Sequence, residues 1–274
     1  MKTISIFLLF FLTLWTPADL GMGRAELSEG AVSAGEESTI TIDAQLKQIK
    51  KLRKAKKYFA AQKKMEELLE NPSLSKEKKE KIKKDFDDLK REALISQFEI
   101  SKDKFHNVVA GDTLYDIAKK YKTTVDVIKK SNHLTNDVIY PGMKLKVVSG
   151  IFSIQVDKSE NILFLYFNGK LIKQYLVATG SKEKPTPVGQ FEIINKLENP
   201  TWFHAGVVVP PDSPENILGT RWLGFNQPGY GIHGTTMPQT IGKHLSSGCI
   251  RMHNEDAEEL YFLIPLGTKV TITE

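Results

Sequence analysis

The stretch from Ser246 to Asn254, SSGCIRMHN, holds the one cysteine of the chain, Cys249, and sixteen positions before it His233 stands in YGIHGT. A thiol is a strong nucleophile only as its thiolate, and a nearby imidazole can take the proton and stabilise the anion. Gly248 lets a substrate come close to the backbone and frees amide N–H groups to face a developing oxyanion. Arg251 offers a permanently charged, forked donor that suits a carboxylate. Taken as spacing alone, the pattern suggests acyl transfer through a cysteine without deciding it. Cys–His pairs arise by chance, and a lone buried cysteine is common.

Other chemistries fit these residues less well. His233, His244, His253 and Cys249 could be zinc ligands, but their separations match none of the compact zinc patterns. His244 and His253 read instead as surface or supporting groups. Papain-like peptidases place the cysteine before the histidine, the reverse of the order here. SLSK, SKDK and SKEK all satisfy the SxxK pattern of penicillin-binding serine enzymes, yet the companion SDN and KTG elements are missing. Trp202, Trp222 and Tyr230 either line a groove or pack a core.

The 274 residues allow one to three domains, and 41% hydrophobic with 26% charged residues is ordinary for globular protein. The chain opens MKTISIFLLFFLTLW, a lysine followed by an apolar run too short to span a bilayer, which has the shape of a secretory signal. Small residues at Thr16-Pro17-Ala18 or Gly23-Arg24-Ala25 would suit cleavage; a retained membrane anchor is the alternative. Export sharpens the question of the thiol, because exported proteins use cysteines in pairs. The net charge of +5 is unevenly placed: residues 43–104 carry 19 Lys and Arg against 12 Asp and Glu. No nucleic-acid motif accompanies these lysines, so nucleic acid is not an expected partner. An anionic envelope polymer or lipid surface would fit them, but a solvated helix face is the favoured reading.

Four elements have to position the chemistry. Residues 26–40 are small and acidic and read as a flexible spacer. Residues 41–100 read as a charged helical hairpin, with Leu46, Ile49, Leu52, Phe59, Met65 and Leu68 on one stripe. Ile82, Phe86, Leu89, Ala93 and Leu94 form the other, with Pro72 between them and Ser75 as a cap. The hairpin has too little surface to bury both stripes alone, so a partner, in this chain or another, is expected. Residues 104–149 read β-α-α-β, and residues 151–274 read as a mainly β domain. In the latter, Asn168-Gly169 marks a hairpin and Asn254 caps the terminal helix. The fold class is multidomain α+β.

Two resemblances join these readings. GDTLYDIAKKY and NDVIYPGMKLKV resemble a LysM domain across the whole of residues 104–149. That likeness implies glycan-binding loops at Gly111, Asp112, Thr113 and Leu114 and at Asn136, Asp137, Val138, Ile139 and Tyr140, with N-acetylglucosamine-containing strands as ligand. PTPVGQFEI, NPTWF, GTRWLGF, YGIHGT, IGKHLSSGCIRM and the terminal GTKVTI resemble the YkuD-type L,D-transpeptidase catalytic domain. This second likeness implies Cys249 as acylated nucleophile, His233 as its base and the Gly234 carbonyl as the group orienting the imidazole. It implies backbone amides around Ser247, Gly248 and Cys249 as the oxyanion hole. Many members carry histidine where Ser247 stands. The implied activity is 3→3 cross-linking of peptidoglycan stem peptides with no metal or organic cofactor. The alternatives are an L,D-carboxypeptidase or a non-catalytic wall-binding protein.

Overall fold

The computed structural model of the chain describes residues 34–97, 105–204 and 206–274, so the apolar N-terminal run and its candidate cleavage sites lie outside the described residues. Three helices come first: α1 (Ala34–Lys54), α2 (Tyr58–Leu69) and α3 (Lys76–Gln97). Helix α1 begins inside the run read as a spacer, and the first stripe of the expected hairpin is two helices rather than one. The break needs neither glycine nor proline. Lys56 turns left-handed at φ 56°, its amide donates to Arg53 O at 3.0 Å, and the Lys57 amide donates to Leu52 O at 3.0 Å. That is a Schellman ending built on lysine, invisible to a search for breakers. The second helix of the expected pair is α3; the Ser75 Oγ accepts from the Lys78 amide at 3.3 Å, as a cap does.

The LysM segment contains β1 (Phe105–Asn107), α4 (Leu114–Tyr121), α5 (Val125–Ser131) and β2 (Lys144–Lys146), with β1 and β2 antiparallel. Thr113 and Thr124 cap the two helices by accepting from the amides of Asp116 and Val127 at 3.1 Å each. Val108, Leu114, Ile117, Ala118, Ile128, Leu145 and Val147 make its core. Because Asn107 pairs with Lys144, the loop after β1 and the loop before β2 leave the same end of the strand pair.

The last domain is built on an eight-stranded mixed sheet. Its strands are β3 (Phe152–Asp157), β4 (Ile162–Phe167), β5 (Lys170–Leu176), β7 (Gly189–Glu198), β10 (Arg221–Phe225), β11 (Gly231–His233), β13 (Ile250–Arg251) and β14 (Lys269–Thr273). They run in the order β13-β11-β10-β7-β14-β3-β4-β5. Short strands β6 (Thr179–Gly180) and β12 (His244–Ser246) pair parallel beside the sheet, β8 (Trp202–His204) and β9 (Val207–Val209) form a separate hairpin, and α6 (Asn254–Leu263) covers one face. The β4–β5 turn falls at Asn168-Gly169, both with positive φ (50° and 77°), the geometry of a type I′ turn.

The core of this domain takes in residues from outside it. Leu94 and Ile95 of α3 and Val127 of α5 belong to the same buried cluster as Ile154, Leu165, Leu223, Leu260 and Leu263. Each such side chain contributes about 1.5–3 kcal/mol when fully buried. Thr124 Oγ1 also donates to Phe262 O of α6 at 2.7 Å, and Lys130 reaches Asp88 of α3 at 3.0 Å. The partner that the helices require is therefore the chain itself. At the end of α6, Lys196 Nζ donates to Tyr261 O and Ile264 O (2.5 and 2.9 Å), capping carbonyls that the helix leaves unpaired. Burial lowers the Lys196 pKa to about 8.

Candidate active site

The β13-β11-β10 edge of the sheet gathers the residues singled out for chemistry. Strand β11 runs parallel to β13 with His233 opposite Arg251, and antiparallel to β10 with His233 opposite Trp222. Ile232 and Ile250, the neighbouring pair, turn into the core and are fully buried. Alternation then sends His233 and Arg251 together to the other face. Cys249 is the residue immediately before β13 and is half-buried. The Trp222 indole stacks on the imidazole with centroids 6.0 Å apart, and its Nε1 donates to Asn195 Oδ1 at 2.9 Å.

His233 is 2% exposed, and its Nδ1 lies 2.6 Å from Gly234 O. A carbonyl can only accept, so Nδ1 carries the hydrogen and Nε2 keeps its lone pair. Burial drives the His233 pKa down to about 4; the Arg251 charge adds to this, and hydrogen bonding to the Gly234 and Leu218 backbone opposes it. Burial also pushes the Cys249 thiol up, against the Gly231 amide and the Arg251 charge, which pull it down. The thiol donates to Gly229 O at 3.4 Å, and at rest both thiol and imidazole are neutral, rather than the ready thiolate that an adjacent base would suggest. Arg251 is 4% exposed and burial lowers its pKa as well; its Nε has no hydrogen-bond partner among the described residues.

The loop carrying the thiol is tied by a residue that sequence reasoning passed over. Ser246 Oγ donates to Cys249 O at 2.5 Å and accepts from the Gly248 amide at 3.2 Å, closing a ring around Ser247. The Gly248 amide is thus already engaged, while Ser247 is exposed. Gly248 has φ +106°, and a Cβ there would meet the Tyr230 ring at 2.9 Å, so glycine is required on both counts. The loop is fixed to the rest of the domain through β12 and β6, where the Ser181 amide donates to Ser246 O at 3.0 Å. Next to it, His244 Nδ1 is 2.8 Å from Thr179 Oγ1, which donates to Asn161 Oδ1 at 2.7 Å. His244 supports that strand pair from its exposed position.

Asn254 was expected as a helix cap and has a different role. Helix α6 already begins at Asn254, with His253 in the cap position. The Asn254 Oδ1 accepts from the amides of Thr220 (3.2 Å) and Thr235 (2.9 Å), clamping the segment that follows His233. Gly219 and Gly234 leave room for it; a Cβ on either would come within 2.2 Å of that oxygen. An asparagine before an acidic helical run gives no sign that its side chain points backwards.

The loops singled out in the LysM segment are arranged differently. Asp112 Oδ2 accepts from the Val109 amide and faces His106 Nε2, both at 2.8 Å, and these two bonds, in that order, hold its pKa low. Gly111 turns at φ +92° with open space where a Cβ would be. Thr113 is spent on its cap, and Leu114 lies in the core, so position 114 can offer a ligand only backbone. In the second loop Asn136 Oδ1 accepts from the Val138 amide at 3.0 Å, and Asp137 pairs with Lys129 at 2.5 Å. Ile139 packs against the core, while Val138 and Tyr140 stand exposed.

Comparison with known proteins agrees with this division. Residues 152–272 match the L,D-transpeptidase catalytic domain (YkuD), and residues 106–148 match the LysM domain. YqjB of Bacillus subtilis (strain 168), a candidate L,D-transpeptidase, is 42% identical over 124 residues, covering 43% of this chain and 69% of its own. YkuD of the same strain, named in the same way, is 34% identical over 174 residues, covering 61% of this chain and 97% of its own. Among solved structures, an L,D-transpeptidase from Mycobacterium tuberculosis H37Rv is 19% identical, with a TM-score of 0.41 over 47% of this chain and 64% of that one.

Proposed function

The chain belongs to the YkuD family of L,D-transpeptidases and carries a LysM peptidoglycan-binding domain, and from that premise we propose that it forms 3→3 cross-links through a thioester on Cys249. The observation that carries this reading is the tautomer of His233. Its Nδ1–H is committed to the Gly234 carbonyl, so Nε2 is left as a base, and the low pKa keeps it unprotonated at neutral pH.

In this mechanism the donor is a stem tetrapeptide. Cys249 Sγ attacks the carbonyl carbon that joins the third residue to the terminal D-alanine, and His233 takes the thiol proton as the C–S bond forms. A neutral pair suits this concerted transfer, because neither group bears a charge in a dry pocket before substrate arrives. The amides of Ser247 and Cys249 would receive the oxyanion, since that of Gly248 is engaged by Ser246. The C–N bond then breaks, the imidazolium returns its proton to the leaving nitrogen, and D-alanine departs. An acceptor amine from a neighbouring stem attacks the thioester, His233 takes its proton, and the sulfur leaves as the regenerated thiol. Arg251 lowers the thiol pKa from its buried position and meets the donor carboxylate. Export would be supplied by the apolar N-terminal segment, and the LysM loops would raise the local concentration of the enzyme on glycan strands.

Product analysis tests the proposal. The purified protein is incubated with tetrapeptide stems, with and without an acceptor amine, and the dimers and released D-alanine are quantified by mass spectrometry. Dimers that require the acceptor are expected, and Cys249→Ala should abolish both products. D-alanine release without dimers would replace cross-linking by hydrolysis, and undiminished release by Cys249→Ala would remove the thioester.

A further inference from the structure

A cleft of about 1340 Å³ lies between α1 and the LysM segment, away from the residues assigned to catalysis. Seven lysines and one arginine line it, against one carboxylate, Glu92. That carboxylate is already used. Arg53 holds it through Nε and Nη2, both at 2.7 Å, and Lys130 stands 3.6 Å from it while pairing with Asp88 at 3.0 Å. The surplus is therefore Lys47, Lys50, Lys51, Lys54 and Lys56 on one side and Lys146 of β2 on the other. Among the described residues none of these six is in an ion pair.

The spacing of the α1 lysines makes the surplus a built feature. Positions 47, 50, 51 and 54 fall at i, i+3, i+4 and i+7, one stripe of a helix. Ile42 and Ile49 are buried, whereas these four lysines are exposed. Like charges at such spacings repel and weaken the helix that carries them. An anion lying along the stripe would remove that repulsion.

We propose that this cleft binds a flexible phosphodiester-linked polyanion, a chain of sugar- or polyol-phosphate type. Lysines present compact charges without the fixed fork that selects planar carboxylates, and the arginine in the cleft is spent on Glu92. A bilayer is flat and cannot meet Lys146 and the α1 stripe across a concave cleft. A nucleic-acid strand binds through a run of aromatic platforms as well as charge, and the rings lining the cleft are Tyr58 and His133 alone. A narrow charged chain fits both walls. Its binding would hold the protein beside such a polymer independently of the LysM loops and of the cysteine chemistry.

The test uses the full chain and fluorescent poly(glycerol phosphate), with affinity read by anisotropy across a salt series. Counterion release predicts a slope of log K against log salt of about −4 if six lysines engage, at about −0.7 per cation. Lys47→Gln/Lys51→Gln/Lys54→Gln should weaken binding at least tenfold and flatten the slope to about −2. The control Lys63→Gln/Lys78→Gln/Lys84→Gln removes equal charge outside the cleft and should leave both nearly unchanged. Thermal melting reports whether the variants fold, and Lys50→Gln/Lys56→Gln provides a second, milder lesion with a loss of several-fold. An equal loss in the control overturns the site. Equal or tighter binding to phosphatidylglycerol vesicles, poly-glutamate or single-stranded DNA overturns the assignment of the ligand.

Discussion

Among the described residues two histidines are almost fully buried, one in the LysM segment and one in the catalytic domain, and they are held in different ways. His106 of the LysM segment is 7% exposed and places Nε2 against the Asp112 carboxylate and Nδ1 3.3 Å from the Tyr121 hydroxyl. His233 is 2% exposed and faces a carbonyl on one side and the Arg251 charge nearby. The carboxylate partner ties His106 into a loop; at His233 burial, with the Arg251 charge adding to it, favours the free base against the pull of the Gly234 hydrogen bond. The same side chain braces a loop in one region and, in the proposed mechanism, serves as the base in the other. Burial sets the charge state of His233, and the partners fix the orientation of each ring.

Replacing that base gives the largest effect. His233→Gln should lower kcat/KM for D-alanine release by about 10²–10⁴-fold, while circular dichroism and melting show a folded protein. A change of less than threefold would leave the catalytic half of the comparison without support.

Acidity offers a second way to separate the two. In the unfolded chain His233 takes a proton near its ordinary 6.5, but in the folded protein only near 4. The stability it contributes is therefore present above 6.5 and lost as pH falls through the window from 6.5 to about 4, at most about 3 kcal/mol. Denaturant titrations should show this slope in the parent and lose it in His233→Gln. The acid limb of kcat/KM should likewise fall near 4. A limb near 6.5 would mean that the pocket is wetter than its geometry indicates.

Asn254 tests how far the base depends on its frame. Asn254→Ala leaves the Thr220 and Thr235 amides without their acceptor, a cost of about 1–3 kcal/mol. Turnover should fall about tenfold with KM little changed, and Asn254→Asp, which keeps an acceptor oxygen, should restore most of it. Failure of that rescue would assign Asn254 to folding alone.

The smallest effect on catalysis should come from the brace. Asp112→Ala removes the acceptor for Val109 N and the partner of His106, so the loop after β1 should lose its shape. Retention on sedimented sacculi should drop severalfold, whereas turnover of small soluble stem peptides should be unchanged. Reduced turnover of those peptides would show that the two regions are coupled.

How much of this was legible depends on the range of the interactions involved. Caps at Thr113 and Thr124, the Asn168-Gly169 turn and the β-α-α-β order are set by neighbours within a few positions, and the sequence shows them. The lysine-built ending at Lys56 is equally local but escaped notice, because the left-handed turn uses a residue type that does not advertise it. A joint role for Cys249 and His233 could be suggested from residue types. The parallel β11–β13 register that puts His233 beside Arg251 could not.

By itself the sequence determined the chemistry available: one thiol, a histidine sixteen positions ahead of it, LysM-type loops and a lysine-rich segment. Tertiary structure alone decided the charge state of that chemistry, because a pKa depends on desolvation and on partners distant in the chain. It also decided that Asn254 is a clamp, that the Gly248 amide is occupied, and that the helices pack on the catalytic core. Each of these outcomes rests on contacts that form only once strands and helices far apart in sequence are brought together and water is removed between them.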